Sequence, residues 1–340
     1  ADGLNNEFKD NISIFDVGKR KQRRIDRMSK TVDSVYEKAI ELNSDLYHLH
    51  DPELIRIGLK LKKEGKIVIF DAHEDLPKQI LGKPYLNIFS KYILYFVATV
   101  YEMFQCRKFN LIITATSKIK DKFSNINKSI DINNYPLIEE LTSLQEQDIT
   151  NKYDEIVYVG AISRIRGIIP LVKALEFLPE IKLNLIGKFN EDALEKEVKE
   201  LEGWKQVNFF GFLNRDEALS IMKKSKIGIV TFLDVPNHVE SQPNKMFEYM
   251  SQSLPIITSN FELWKEIVEG NNCGICVNPE KPNEIANAVN FILKDKENLI
   301  TYGNNAYNAV KNTYNWKVEE VKLIKKYKEI INENFNNFRS

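Results

Sequence analysis

Two carboxylates, Glu240 and Glu248, bracket the segment ESQPNKMFE, with Pro243 and Lys245 between them. Pro243 suits the first turn of a helix, with Ser241 or Gln242 near its cap, so the pattern predicts a helix start here. A helix start presents unpaired N–H groups and the positive end of its dipole, a natural seat for a phosphate. Lys245 brings a mobile positive charge to that seat. Glu248, inside the helix, is placed to accept hydrogen bonds from two ribose hydroxyls. Glu240 lies outside it, on the loop facing whatever the phosphate carries. The bland alternative is two exposed acids with no shared task.

A second pattern, YVGAISRIRG from Tyr158 to Gly167, reads as strand, glycine, basic turn and helix. Gly160 lets the backbone approach a ligand closely, and Arg164 or Arg166 can grip a diphosphate. Neither G-x-G-x-x-G nor a P-loop occurs. Three of the four histidines stand at expected strand ends: His48 and His50 in HLHDPE, and His73 in DAHEDLP. Strand C-termini are where open α/β sheets bind ligands, so His73-Glu74-Asp75 could supply a donor or a general acid/base. A satisfied structural histidine is the competing reading. His48 and His50 share one strand face, yet no further ligand spacing supports a metal site, and none is expected. No Asp-x-Asp occurs, which argues against a metal clamp on a nucleotide diphosphate. Cys273-Gly-Ile-Cys276 straddles the last strand and reads as packing rather than redox or zinc chemistry.

Composition sets the frame for these groups. A chain of 340 residues fits about two domains. Hydrophobic residues are 43% and charged residues 28%, an ordinary globular balance that excludes disordered, collagenous and coiled-coil classes. Lys+Arg and Asp+Glu both count 48, so no net field draws the whole chain onto nucleic acid. Three cysteines exclude a disulfide scaffold and fit a reducing cytosol. The apolar run Tyr92–Tyr101 falls far short of the roughly 20 residues of a spanning helix. The polar, acidic opening residues carry no signal-peptide pattern. A cytoplasmic protein is expected.

Short Val/Ile/Leu runs alternate with helical patterns, which predicts doubly wound parallel sheets. In the first half the strands are Asp45–His50, Lys66–Asp71 and Asn110–Ala115. The polar stretch 138–153 reads as a linker. Six strands follow it: Glu155–Ala161, Lys182–Gly187, Gln206–Gly211, Lys226–Phe232, Pro255–Thr258 and Gly274–Val277. Helices are expected between them near 168–178, 191–202, 215–224, 244–252, 262–269 and 283–295, then at 297–312 and 316–335. The expected organisation is a first Rossmann-like domain over 1–150, a second over 151–315 and a closing helix segment over 316–340. By the same count the first domain lacks an opening strand, glycine-rich loop and helix. The basic run Lys19–Arg24, extended by Arg27 and Lys30, has a solvated helix start as its ordinary fate. The aromatic stretch 85–104 ordinarily packs into a core. Together, 18–30 and 85–104 are also candidates for an anionic membrane surface.

The segment around Glu240 and Glu248, HVESQPNKMFEYMSQSLPIITS, resembles the E-x7-E region of the retaining glycosyltransferases of family 4. YVGAISRIRGI, NLIGKF, VNFFGFLNRDEALSIMKKSKIGIV and CGICVNPEKPNEIANAV are similar to other segments of that family's second domain. YHLHDPEL, FDAHEDLP and IITATS are similar to parts of its first. The resemblance spans about four fifths of the chain and implies the GT-B fold, two Rossmann-like domains facing a cleft. It further implies that Glu248 binds the nucleotide ribose and Glu240 the donor sugar hydroxyls. Arg166 would bind the diphosphate, and the backbone around Asn244 and Lys245 would meet the diphosphate or sugar. His73 matches the family's first-domain histidine facing the donor sugar. The last helix would cross back to the first domain. The family's Gly-Arg pair is Gly160-Ala161 here, with Arg164 as the substitute.

The resulting expectation is a metal-independent, cofactor-free transfer, with retention, from a nucleotide-sugar, with UDP favoured over GDP. The acceptor would be a glycan or a lipid-linked chain in bacterial surface polysaccharide synthesis, reached from the cytoplasmic face of the membrane. Two alternatives remain beside it: a non-catalytic sugar-nucleotide-binding subunit or fragment needing a partner chain, and a GT-B nucleotide-sugar epimerase.

Overall fold

Ile, Val and Leu runs that are buried on both sheet faces form parallel strands, because only helices packed above and below can cover them. In the computed structural model, residues 6–18, 30–83, 86–137, 139 and 153–337 are described. The chain divides into two compact units, Ala1–Asn133 with Lys322–Ser340, and Asn134–Val321. Most of the expected linker, and the basic run 19–29, lie outside the described residues. Asn134–Leu137 already belong to the second unit.

The first unit opens with an exposed hairpin, β1 (Glu7–Lys9) and β2 (Ile12–Ile14), turned by Asp10 and Asn11, both at positive φ. After α1 (Val32–Leu42) come β3 (Leu46–His50), α2 (Ile55–Lys63), β4 (Ile67–Ala72), α3 (Leu76–Leu81), α4 (Ile88–Cys106), β5 (Leu111–Thr114), α5 (Ser117–Ser124) and β6 (Ser129–Asp131). The sheet runs β3-β4-β5-β6, all parallel, and every residue of β4 is buried. Ile55, Leu61, Val68, Phe70, Ile112 and Phe123 make its core.

The second unit contains β7 (Glu155–Val159), α6 (Ile168–Ala174), β8 (Lys182–Ile186), α7 (Asp192–Lys199), β9 (Val207–Gly211), α8 (Arg215–Lys224), β10 (Ile227–Val230), α9 (Pro236–Val239), α10 (Asn244–Ser251), β11 (Ile256–Ser259), α11 (Glu262–Val268), β12 (Gly274–Val277), α12 (Pro282–Lys294) and α13 (Lys296–Asn312). A last helix, α14 (Trp316–Asn337), begins in this unit and continues in the first. The sheet order is β12-β11-β10-β7-β8-β9, all parallel. Alternate residues of β7 feed two cores: Ile156 and Tyr158 face one, Val157 the other. The order reverses between β7 and β10, the switch point at whose C-terminal strand ends such sheets bind ligands.

The expected strands match the observed ones to within two residues at each end. The helix expected over 168–178 stops at Ala174 and tightens into a 3-10 turn at Leu175–Phe177. β6 and α9 leave no mark in the sequence pattern: three residues are too few to show a period, and Pro236 masks the other.

Candidate functional site

The switch point of the second unit carries Gly160 and Arg166, two of the groups singled out by sequence. β7 ends at Gly160, whose φ of +144° is a glycine conformation and whose N–H donates to the Ile186 carbonyl at 2.9 Å. The two strand ends lie so close that a Cβ on Gly187 would sit 1.8 Å from the Gly160 carbonyl oxygen. Arg166, in the 3-10 turn that follows, approaches Gly160 and lays its guanidinium 5.2 Å from the Phe232 ring centroid. Arg164 turns elsewhere, forking onto Glu197 of α7 at 2.6 and 3.1 Å.

α10 is held against β7 by Tyr249. Its buried hydroxyl accepts from the Val159 N–H at 2.7 Å, and its ring covers Gly228 so tightly that a Cβ there would clash. The helix begins at Asn244, with Pro243 as its cap residue and no side-chain cap, so neither Ser241 nor Gln242 takes that place. The loop before it is tethered where Trp264 Nε1 donates to the Ser241 carbonyl at 2.7 Å. Glu240 ends α9 within this loop. Lys245 and Glu248 pair with each other at 2.5 Å, so the cation expected at a phosphate and the carboxylate expected at a ribose neutralise one another. His238 packs 4.7 Å from the Phe232 ring and bonds the Leu233 carbonyl. Burial lowers its pKa, the Leu233 carbonyl opposes that, and the Arg166 charge adds to the lowering.

A cavity of about 300 Å³ in this unit is lined by Asn134, Tyr135, Pro136, Leu137, Arg215, Asn244, Glu248 and Trp316. Behind it, the lining residue Tyr135 meets Phe247 at 4.7 Å and Tyr314 at 5.4 Å. The Trp316 N–H donates to the Pro136 carbonyl at 2.8 Å. Asn244 and Glu248 are marked by their spacing. Tyr135, Arg215 and Trp316 are not, because they converge from three distant stretches and no local pattern distinguishes them.

In the first unit, His48 and His50 leave β3 on the same face as Asp71 of β4 and His73 just beyond it. His48 Nε2, His50 Nδ1 and His73 Nε2 stand 3.2, 3.4 and 3.6 Å from one oxygen, Asp71 Oδ2. His50 Nδ1 and His73 Nε2 are 2.8 Å apart. Burial pushes the Asp71 carboxyl upward, but the facing His48 and His50 rings and the His73 charge outweigh it, leaving it well below the usual carboxylate range. Asp75 caps α3 and pairs with Lys122 at 2.9 Å, and Lys122 also pairs with the buried Glu102 of α4. That pairing fixes the loop carrying His73 and Glu74.

Cys273 and Cys276 are unpaired thiols, and burial pushes each up to about 12, which suits packing and not thiolate chemistry. α4 departs from the expectation of a core-packed helix. Only Glu102 and Cys106 are buried along it, while Phe89 is 79% and Phe96 68% exposed. Among the described residues no helix is long and apolar enough to cross a membrane.

Residues 140–309 match the family model for glycosyl transferases group 1. An uncharacterized glycosyltransferase of Methanocaldococcus jannaschii is 24% identical over 292 residues, which cover 80% of this chain and 72% of that one. Among solved structures, sucrose-phosphate synthase from Thermosynechococcus elongatus is similar with a TM-score of 0.74 at 17% identity, over 92% of this chain and 80% of that one. The Anabaena protein HepE in complex with UDP and glucose gives a TM-score of 0.70 at 17% identity, over 90% and 83% of the two chains. At these identities the structural likeness speaks to the fold.

Proposed function

The chain belongs to the group 1 glycosyl transferases, and we propose that it moves a sugar from a UDP-sugar to a glycan or lipid-linked acceptor with retention of configuration. Its fold is of the GT-B type, with two Rossmann-like units built on parallel sheets. The observation carrying the proposal is the start of α10: Asn244 and Glu248 line the cavity, Lys245 lies beside Glu248, and Gly160 and Arg166 stand at the same switch point. UDP is the favoured carrier because HepE was solved with it. Glu248 would take the ribose hydroxyls, leaving Lys245 free to turn to the diphosphate.

In the proposed reaction the bond between the sugar C1 and the diphosphate oxygen breaks, and the acceptor oxygen bonds C1 from the same face. The acceptor proton passes to the departing phosphate. Charge growing on that phosphate is met by Arg166, Lys245 and the N–H groups opening α10, in place of a divalent ion. Glu240 orients the sugar hydroxyls, and His73 acts at the reacting sugar. Without acceptor, calorimetry and slow donor hydrolysis over a panel of UDP- and GDP-sugars test this. One UDP-sugar bound and slowly hydrolysed supports it. Binding of GDP-sugars alone would overturn the choice of base, and binding of none would overturn the site.

The exposed face of α4 gives the acceptor side a physical setting. Ile88, Phe89, Tyr92, Ile93, Phe96 and Phe104 stand out on a helix with Lys91 within it and Arg107 and Lys108 at its end. Apolar rings beside basic ends suit the boundary of an anionic lipid surface, consistent with a lipid-linked acceptor in surface polysaccharide synthesis.

A further inference from the structure

We propose that His48, His50 and Asp71 form a binding site for a divalent transition-metal ion of the zinc class. One donor atom from each lies within 4.8 Å of the others. Zinc bonds nitrogen and oxygen at about 2.0–2.2 Å, so neighbouring ligand atoms of a tetrahedral site stand about 3.3 Å apart. His48 Nε2 and His50 Nδ1 lie 3.2 and 3.4 Å from Asp71 Oδ2, at that spacing.

Hydrogen bonding in the same arrangement depends on the His48 tautomer. His48 Nε2 is buried and faces Asp71 Oδ2 at 3.2 Å. Its other nitrogen, Nδ1, meets the Tyr327 hydroxyl of α14. When Nδ1 donates to that hydroxyl, Nε2 keeps its lone pair and points it toward a carboxylate oxygen, a repulsion that a cation relieves. An outer partner that fixes the tautomer in this way is the usual companion of a metal-bound histidine. The His48 and His50 rings are stacked 4.4 Å apart, and rotation about the soft terminal torsion converges their lone pairs. Asp71 is buried and His48 partly so, while His50 and His73 are about half exposed, which leaves an open coordination position and an entry path. Two imidazoles and one carboxylate favour zinc, cobalt, nickel or copper over magnesium and calcium, which take oxygen ligands.

The test is a titration of the full chain, first stripped with a chelator. Co2+ is followed by its visible ligand-field absorption and Zn2+ by calorimetry. One equivalent of Co2+ is expected to bind, to be displaced by Zn2+ and to resist excess Mg2+. His50→Gln and His48→Gln should each weaken Zn2+ binding by at least about tenfold, and His238→Gln, the histidine of the second unit, should leave it unchanged. His50 is half exposed, so its variant keeps the fold, as circular dichroism will verify, and a loss of binding there reports the loss of a ligand. Absence of saturable one-to-one binding, displacement by Mg2+, or binding unaltered in the His50 and His48 variants would overturn the site.

Discussion

Lys245 and Glu248 hold each other, so in the proposed reaction the donor would trade that pair for its diphosphate and ribose. Hydrogen bonds to a charged group are each worth about 1.5–3 kcal/mol. Glu248→Ala should therefore raise the donor Kd by about ten- to a hundredfold by calorimetry. Glu240→Ala should instead lower kcat with little change in KM, because its proposed partner is the reacting sugar. Equal effects of both on binding would refute that division of roles. A titration belongs at this scale too. Burial lowers the His238 pKa in the folded state. Well above its ordinary pKa of about 6.5 the ring is neutral folded or unfolded and adds no pH dependence. As pH falls through 6.5 the unfolded chain takes the proton first, so stability drops. The Tm of the wild type should fall more steeply than that of His238→Gln between roughly pH 6.5 and 5; parallel curves would exclude the mechanism.

Secondary elements fix where those residues stand. The ends of β7 and β8 meet at Gly160 and Gly187, with no room for a Cβ on the latter. Gly187→Ala must displace the Gly160 carbonyl and strain a φ of +147°, at a cost of about 3 kcal/mol. A thermal melt should show a clear loss of Tm. α10 is pinned more subtly. Tyr249→Phe keeps the ring over Gly228 but leaves the Val159 N–H without its acceptor, costing about 1–3 kcal/mol. Donor affinity should fall with it, since α10 carries Asn244 and Glu248. Full stability in that variant would mean that another group takes the N–H.

For the whole molecule, the balance of 48 basic and 48 acidic residues gives no global attraction to a membrane, so any lipid affinity must come from a local face. α4 supplies one. Sedimentation with anionic vesicles should carry the chain down at low salt and less at high salt. Replacing Phe89, Ile93 and Phe96 together by Ser should abolish it, at an unchanged melting temperature, because these side chains touch solvent. Equal binding by the triple variant would remove α4 from the membrane.

What was legible in the sequence was whatever depends on local period and on spacing along one element. Buried Ile/Val/Leu runs gave the parallel strands, and the alternation with helices gave the two α/β units. Pro243 marked a helix start, which put Asn244 and Glu248 on one short helix. Tertiary structure decided the rest. Arg164 and Arg166 are two residues apart and equal on paper, yet one forks onto Glu197 while the other turns to Gly160 and Phe232. Tyr135, Arg215 and Trp316 reach the cavity only through the packing of distant segments. His48 and His50 looked short of a metal ligand until β3 and β4 paired in the register that sets His50 opposite Asp71. Register joins residues of separate strands, and a one-residue slip would have sent Asp71 to the other face.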